Sequence, residues 1–350
     1  MKDFTIERLE PGIAAAWDAY ASVHARGSIY HLSLWKTLIE QQFGHETAYL
    51  YALREGAIVG LLPAVRLKSL LFGDYYVSMP YFNYGGVISD DDTIADALMH
   101  EMGSLAQQRG SSSIEFRDVV ARVTADGSSS WPVKTGKVSM LLDLPPSIED
   151  IGKTIGSKKR SQVRRPLREN PEVLRGHHEL LDDFYDVFAE NMRDLGTPVY
   201  SKQFFRAILD AVGEQATVLV IRLQGKPVSA AFLLGFRDTL EIPWASTLRE
   251  VNPISMNMLL YWEVLSYAIE RRYRRFDFGR STQDAGTYKF KEQWGAQPRQ
   301  LYWYYWLAAG KSLPQLNPNN PKYQAVIAIW QRLPVWVTRI AGPIIVKNLP

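Results

Sequence analysis

Cysteine is absent from this chain of 350 residues, so disulfides, thiolate metal sites and a cysteine nucleophile are all excluded. Histidine is scarce, and none of the six falls in an H-x-x-x-H pair, which argues against a zinc enzyme. No apolar run approaches the roughly 18 residues of a membrane span. The opening MKDFTIERLEPG lacks the apolar core of a signal peptide, so a cytoplasmic location is expected. Acid disappears after Glu292, while Arg299, Lys311, Lys322, Arg332, Arg339 and Lys347 follow it. What is present is a globular composition: 46% hydrophobic and 22% charged residues exclude disorder. The length suggests roughly two domains.

Net charge is only +3, but it is unevenly placed. Between Ile151 and Arg175 stand Lys153, Lys158, Lys159, Arg160, Arg164, Arg165, Arg168 and Arg175, against Glu169 and Glu172. Two local basic regions on a nearly neutral chain point to two anionic contacts rather than a general attraction to polyanions.

The layout repeats once. In the first half Ser33 precedes a helix through Leu34, Leu38, Ile39 and Phe43, then strands at 47–53 and 57–67 flank Arg54-Glu55-Gly56. In the second, Ser201 precedes a helix through Phe204, Phe205, Ile208 and Leu209, then strands at 216–223 and 227–235 flank Gln224-Gly225-Lys226. Serine before a periodic apolar run signals a helix cap, and glycine between β-branched runs signals a hairpin. Each half continues into a helix (91–109 and 255–272) and a strand (Ile114-Glu115-Phe116 and Arg275-Phe276-Asp277). Pro145-Pro146 marks the boundary between halves, and Leu316–Pro321 separates a C-terminal tail. The expected domains are 1–146, 147–312 (including a basic linking helix) and a tail at 313–350.

One stretch carries the most chemistry. Phe276-Asp277-Phe278-Gly279-Arg280-Ser281 reads as a short buried strand that ends on Asp and Gly. A polar loop follows, then a brief helix with Lys289 and Lys291, closed by Trp294-Gly295. Strand ends followed by glycine turns are where a packed scaffold exposes backbone to a ligand. The plainer reading pairs Asp277 with a nearby arginine and leaves Phe276 and Phe278 as core.

A D-F-G strand end followed by F-K-x-x-[FW]-G resembles the C-terminal half of the FemAB family, whose members are built from acetyltransferase-like (GNAT) domains. Many of them move an aminoacyl group onto a cell-wall precursor. The run Lys158, Arg160, Val163, Arg164 matches that family's K-x-R-x-x-[IV]-[RK] basic helix, and Pro80 to Gly86 is similar to its P-x-x-x-x-G-G segment. The ending Pro334-Val335-Trp336-Val337-Thr338-Arg339 to Pro350 resembles the branch associated with PEP-CTERM/exosortase systems and exopolysaccharide export. The resemblance covers most of residues 30–350. It implies an α/β protein of two tandem GNAT-like domains, with mixed sheets flanked by helices, plus the helical tail.

The resemblance also implies a function: amide formation by N-acyl or aminoacyl transfer onto a phosphate-bearing or lipid-linked, cell-envelope or exopolysaccharide-related acceptor. Asp277 or Asp284 would accept the amine proton, and Arg280, Lys289 or Lys291 would stabilise charge. Asn83, Tyr84, Gly85 and Gly86 offer backbone amides in a bulged strand, against the alternative of a simple turn. Lys158, Arg160 and Arg164 would grip phosphate, against the alternative of a solvated face. Tyr200, Trp244 and Ser281 complete the expected cleft, and no metal is expected. No cofactor is expected to stay bound. A coenzyme-A enzyme of this fold carries a glycine-rich loop before its central helix, where this chain has Arg249-Glu250-Val251-Asn252-Pro253-Ile254-Ser255. The donor is then an aminoacyl-tRNA or an acyl thioester, with tRNA a partner in the first case. The competing function is a non-catalytic RNA- or polysaccharide-binding protein, its ten Trp and eighteen Tyr supplying stacking surfaces. The tail, with Tyr323, Val326, Ile327, Ile329, Trp330, Leu333, Trp336, Val337 and Ile340 at helical spacing, either docks on the protein or lies on the inner membrane face.

Overall fold

Two adjacent residues at positive φ make the tightest hairpins, and this chain has them twice. In the computed structural model, Glu55 and Gly56 (φ 49° and 82°) join strands Leu50–Arg54 and Ala57–Leu62. Gln224 and Gly225 (φ 51° and 78°) join Ala216–Leu223 and Lys226–Phe236. The twist of such turns matches that of the strands they connect. The structure describes residues 3–70, 72–122, 131–313 and 321–349, with backbone alone for 321–323. Apart from Pro321, the Leu316–Pro321 break lies outside the described residues, and so does the Tyr323 side chain.

The chain divides into two units: residues 1–138, 299–315 and 348–350 in one, and residues 139–298 and 316–347 in the other. The first holds a four-stranded antiparallel sheet in the order Thr5–Arg8, Leu50–Arg54, Ala57–Leu62, Ile88–Ser89. Its second, six-stranded sheet runs Glu46–Thr47, Val65–Ser69, Gly73–Val77, Ser113–Asp118, Tyr302–Leu307, Val133–Lys134. The one strand expected over 57–67 is therefore two. Pro63 has no N–H for a ladder, and the chain leaves one sheet at Leu62 to enter the other at Val65.

The other unit is built on seven strands in the order Glu172–Gly176, Ala216–Leu223, Lys226–Phe236, Thr239–Thr247, Arg275–Thr282, Lys137–Asp143, Gln297–Gln300. Strands are exchanged in sequence. Lys137–Asp143 lies beside Arg275–Thr282, while Tyr302–Leu307, from near the end of the chain, pairs with Ser113–Asp118. Each layout also contains one parallel pair bridged by a helix. Gly73–Val77 and Ser113–Asp118 are bridged by Asp92–Gln108; Thr239–Thr247 and Arg275–Thr282 are bridged by Met256–Glu270.

Local caps decide where the helices begin. Ser201 accepts from the Phe204 N–H and caps Lys202–Val212 as expected. Ser33 does not cap Leu34–Phe43. Its backbone is already helical, and its N–H and hydroxyl bond the Asp18 carboxylate at 2.6 and 2.8 Å. In the seven-stranded unit, helices Leu181–Leu195 and Lys202–Val212 press Phe184, Phe188 and Phe205 onto Phe232 of the sheet, with ring centroids 5.0 to 5.6 Å apart. Each such buried ring stabilises the fold by about 2–3 kcal/mol.

The tail forms helices Pro321–Trp330 and Val335–Val346, docked against the second unit. Arg339 pairs with Asp186 at 2.7 Å, and the Gln331 amide donates to the Asp194 carbonyl at 3.0 Å. Gly342 lies so close to Val199 that a Cβ there would stand 2.8 Å from the Val199 nitrogen. Among the described residues no helix is long and apolar enough to cross a membrane.

Candidate active site

The parallel pairing of Thr239–Thr247 with Arg275–Thr282 runs only from Thr239↔Arg275 to Glu241↔Asp277, although both strands continue. Two residues cause the parting. Pro243 can donate no ladder bond and sits where the register against Lys226–Phe236 jumps, between Phe232 and Leu234. Gly279 takes φ 74°, which turns the other strand just past Asp277. Strands that part within a sheet present backbone donors and acceptors to a ligand entering between them. The strand expected to end at Gly279 thus runs on to Thr282 and bends.

Helix Gly286–Glu292 returns a lysine to this point. Lys289 and Lys291 are two residues apart, about 200° around a helix, so only one can face the sheet. Lys291 does, at 8% exposure, and Lys289 is exposed. The Lys291 Nζ donates to the Gly279 carbonyl at 3.0 Å and the Arg280 carbonyl at 2.9 Å. Burial pulls its pKa down to about 8; Asp277 resists, Arg280 adds to the fall, and Glu241 resists. An ammonium has three N–H groups, and these two bonds use two of them.

Asp277, 4% exposed, holds the turn in place. Its Oδ1 accepts from the Gly279 N–H at 2.7 Å and from the Ser139 hydroxyl at 3.0 Å. Aromatic rings brace the lysine helix from behind. Tyr261 of Met256–Glu270 stacks on Phe278 at 5.7 Å and meets Phe290 edge-on at 4.9 Å, and burial pushes its hydroxyl up to about 12. The Ser281 hydroxyl and the Trp294 indole N–H are buried with no hydrogen-bond partner among the described residues. Buried polar groups of this kind are satisfied by ordered water or by a bound ligand.

A second feature lies on helix Ile148–Arg164. Gly156, at φ 75° and ψ 172°, breaks the helix in a conformation open essentially to glycine alone. Arg160 folds back across the break and donates to the Gly152 carbonyl at 2.7 Å. Ser157, Arg160, Ser161, Arg164, Arg165 and Arg168 then line one cavity of about 440 Å³. Arg165 also donates to the Pro253 carbonyl at 3.0 Å, in the turn before helix Met256–Glu270. None of the four arginines has a carboxylate partner among the described residues. Four like charges on one wall repel one another, and a bound phosphate would relieve that.

The expected residues divide accordingly. Asp277, Arg280 (through its carbonyl), Ser281 and Lys291 come together, while Asp284, at φ 62° in the preceding turn, is exposed like Lys289. Arg160 and Arg164 share the arginine cavity, and Lys158, exposed, does not line it. Tyr200 and Trp244 meet at 6.0 Å, and Trp244 also stands edge-on to Phe205. Asn83, Tyr84, Gly85 and Gly86 belong to the other unit. There a Cβ on Gly85 would lie 2.3 Å from the Met79 Cβ, and one on Gly86 would lie 2.7 Å from the Arg117 carbonyl. Close packing accounts for both glycines, and the Gly86 carbonyl is bonded to the His31 ring at 2.9 Å.

Sequence reasoning missed Ser139 and Glu241, and of the four arginines on the cavity wall it singled out Arg160 and Arg164 but not Arg165 and Arg168. Glu241 left a trace, a lone carboxylate inside an apolar strand. Ser139 left none, since it reaches Asp277 only because its strand is exchanged into this sheet.

Residues 157–292 match the acetyltransferase (GNAT) domain family. No curated protein matches the chain in sequence. Among solved structures, FemX superposes with a TM-score of 0.64 at 14% identity, over 92% of this chain and 100% of its own. L-PGS from Bacillus licheniformis gives 0.56 at 14% identity, over 93% and 99%. A tandem GNAT protein from the clavulanic acid biosynthesis pathway gives 0.52 at 12% identity, over 89% and 100%. The chain therefore has the mixed α/β fold of tandem GNAT proteins, with C-terminal helices, and its residues 157–292 match the acetyltransferase (GNAT) domain family.

Proposed function

We propose that this protein is an acyltransferase of the FemAB-like kind, which moves an aminoacyl group from an activated ester to an amine on a phosphate-bearing acceptor of the cell envelope. The observation that carries this reading is the buried Lys291 ammonium, anchored to the Gly279 and Arg280 carbonyls where the two parallel strands part. In the reaction the amine attacks the ester carbonyl, a C–N bond forms, and the carbonyl oxygen gains negative charge. The C–O bond to the donor then breaks, and the proton lost by the amine ends on the departing hydroxyl. The third N–H of Lys291 meets the developing oxyanion, and the burial of the lysine, 8% exposed, limits screening by water. Asp277 positions Gly279 and offers the carboxylate through which the amine proton passes. The arginine cavity takes the phosphate of the acceptor.

The turn Arg249–Ile254 supports an aminoacyl-tRNA as donor. It carries no glycine, Pro253 removes an amide, and Ser255 adopts φ 65°, so the amide cradle of a pyrophosphate loop is not built there. Affiliation with the PEP-CTERM/exosortase-associated branch rests on the sequence of the tail alone. The test is transfer of label from aminoacyl-tRNA, and separately from acyl-CoA, to extracted envelope precursors. Wild-type protein should form a labelled amide from the aminoacyl-tRNA. Transfer from acyl-CoA alone overturns the donor, and no transfer from either overturns the enzyme.

A further inference from the structure

The C-terminal helices face the protein on one side only. Their inward face is fixed by Trp330, Thr338, Gly342 and Val346, all buried, and by the close approach of Gly342 to Val199. A helix pinned at a glycine cannot rotate without a clash, so its outward face is equally fixed. On that face Trp336, Ile340 and Ile344 follow one another at intervals of four, and the preceding helix exposes Val326 and Ile329, three residues apart. All five are 61–66% exposed, and they make up five of the eleven large apolar side chains exposed among the described residues. Such clustering is not the scatter of single apolar residues found on any surface.

We propose that this face adsorbs to the anionic surface of a lipid bilayer. Charge selects the occupant. Every charged side chain from Pro321 to the end of the sequence is basic: Lys322, Arg332, Arg339 and Lys347. Arg339 is paired with Asp186, whereas Arg332 is exposed in the turn between the helices. An apolar row with a tryptophan at its head, on a segment whose own charges are all basic, matches acyl chains below a layer of phosphates. The helices have 10 and 12 residues, far short of the roughly 20 needed to span, so they lie along the surface. This inference stands apart from the transfer reaction and needs no substrate to test.

Full-length protein is sedimented with vesicles of phosphatidylglycerol or of phosphatidylcholine, at low and high salt. Binding is expected to the phosphatidylglycerol vesicles, with release by salt. The variant Trp336→Ser/Ile340→Ser should lose at least about tenfold in bound-to-free ratio while melting like wild type, because both positions are exposed. Equal binding to phosphatidylcholine overturns the proposal, as does undiminished binding by the variant. A concentration-dependent dimer without lipid, abolished by the same variant, assigns the face to a second copy of the chain and also overturns it.

Discussion

Replacing Lys291 by methionine separates the cost of a buried charge from the use of that charge. The Lys291 pKa falls from 10.5 to about 8 on folding, a displacement of about 2.5 units. At about 1.36 kcal/mol per unit, the buried ammonium is destabilised by ~3 kcal/mol relative to the neutral amine. Below pH 8 the lysine is protonated in folded and unfolded chains alike, and this cost is present in full. As pH rises from 8 to 10.5 the folded protein releases its proton while the unfolded chain keeps it, so stability due to the lysine rises. Methionine cannot titrate. The stability of wild type minus that of Lys291→Met should therefore climb by about 3 kcal/mol across that window, with the buried tyrosines cancelling because both proteins carry them. At neutral pH the two should be close. The variant escapes the charge cost but leaves the Gly279 and Arg280 carbonyls without their donor, at about 1–3 kcal/mol each. Urea unfolding followed by tryptophan fluorescence at several pH values measures the difference. A difference that stays flat with pH would refute the reasoning. Activity should move the opposite way: the oxyanion needs the proton, so the wild-type rate falls as pH passes 8, and the variant should lose at least about tenfold in turnover.

Two further perturbations probe the basic helix and the tail. The double variant Arg160→Ala/Arg164→Ala should raise the acceptor KM by about tenfold or more with kcat little changed, and a plot of log KM against log salt should flatten; an unchanged KM would return the helix to the role of a solvated face. Gly342→Leu should force the tail off Val199 and lower the melting temperature by several degrees, and a melting curve that does not move would mean that the docking contributes nothing to stability.

Local chemistry was legible in the sequence wherever a single residue type decides the backbone. Glu55-Gly56 and Gln224-Gly225 gave the hairpins because few other pairs accept two positive φ values. Helices Asp92–Gln108 and Met256–Glu270 were visible as long apolar patterns. Partners distant in sequence were not legible. Ser33 looks like a cap and is held instead by Asp18, which no pattern announces. Lys289 and Lys291 were equivalent as letters, and only the placement of their helix against the bent strand buries one and exposes the other. The arginine cavity was half visible: the spacing of Arg160 and Arg164 showed a common face, but the Gly156 break that turns Arg160 back toward Gly152 needs three-dimensional context.

The exchanged strands also set a timetable for synthesis. Ser113–Asp118 must wait for its neighbour Tyr302–Leu307, about 180 residues further along the chain. At about 5–20 residues per second the ribosome takes on the order of 10–40 s to supply it. Through that interval the six-stranded sheet has an open edge in its middle, able to pair with any extended chain it meets. Fragments cut between the two halves would inherit the same open edge permanently, so neither half is expected to be well behaved when expressed alone. Closing sheets with strands so remote in sequence also raises the contact order, which makes this a slow folder for its size and one that gains from chaperone protection until its last strand is in place.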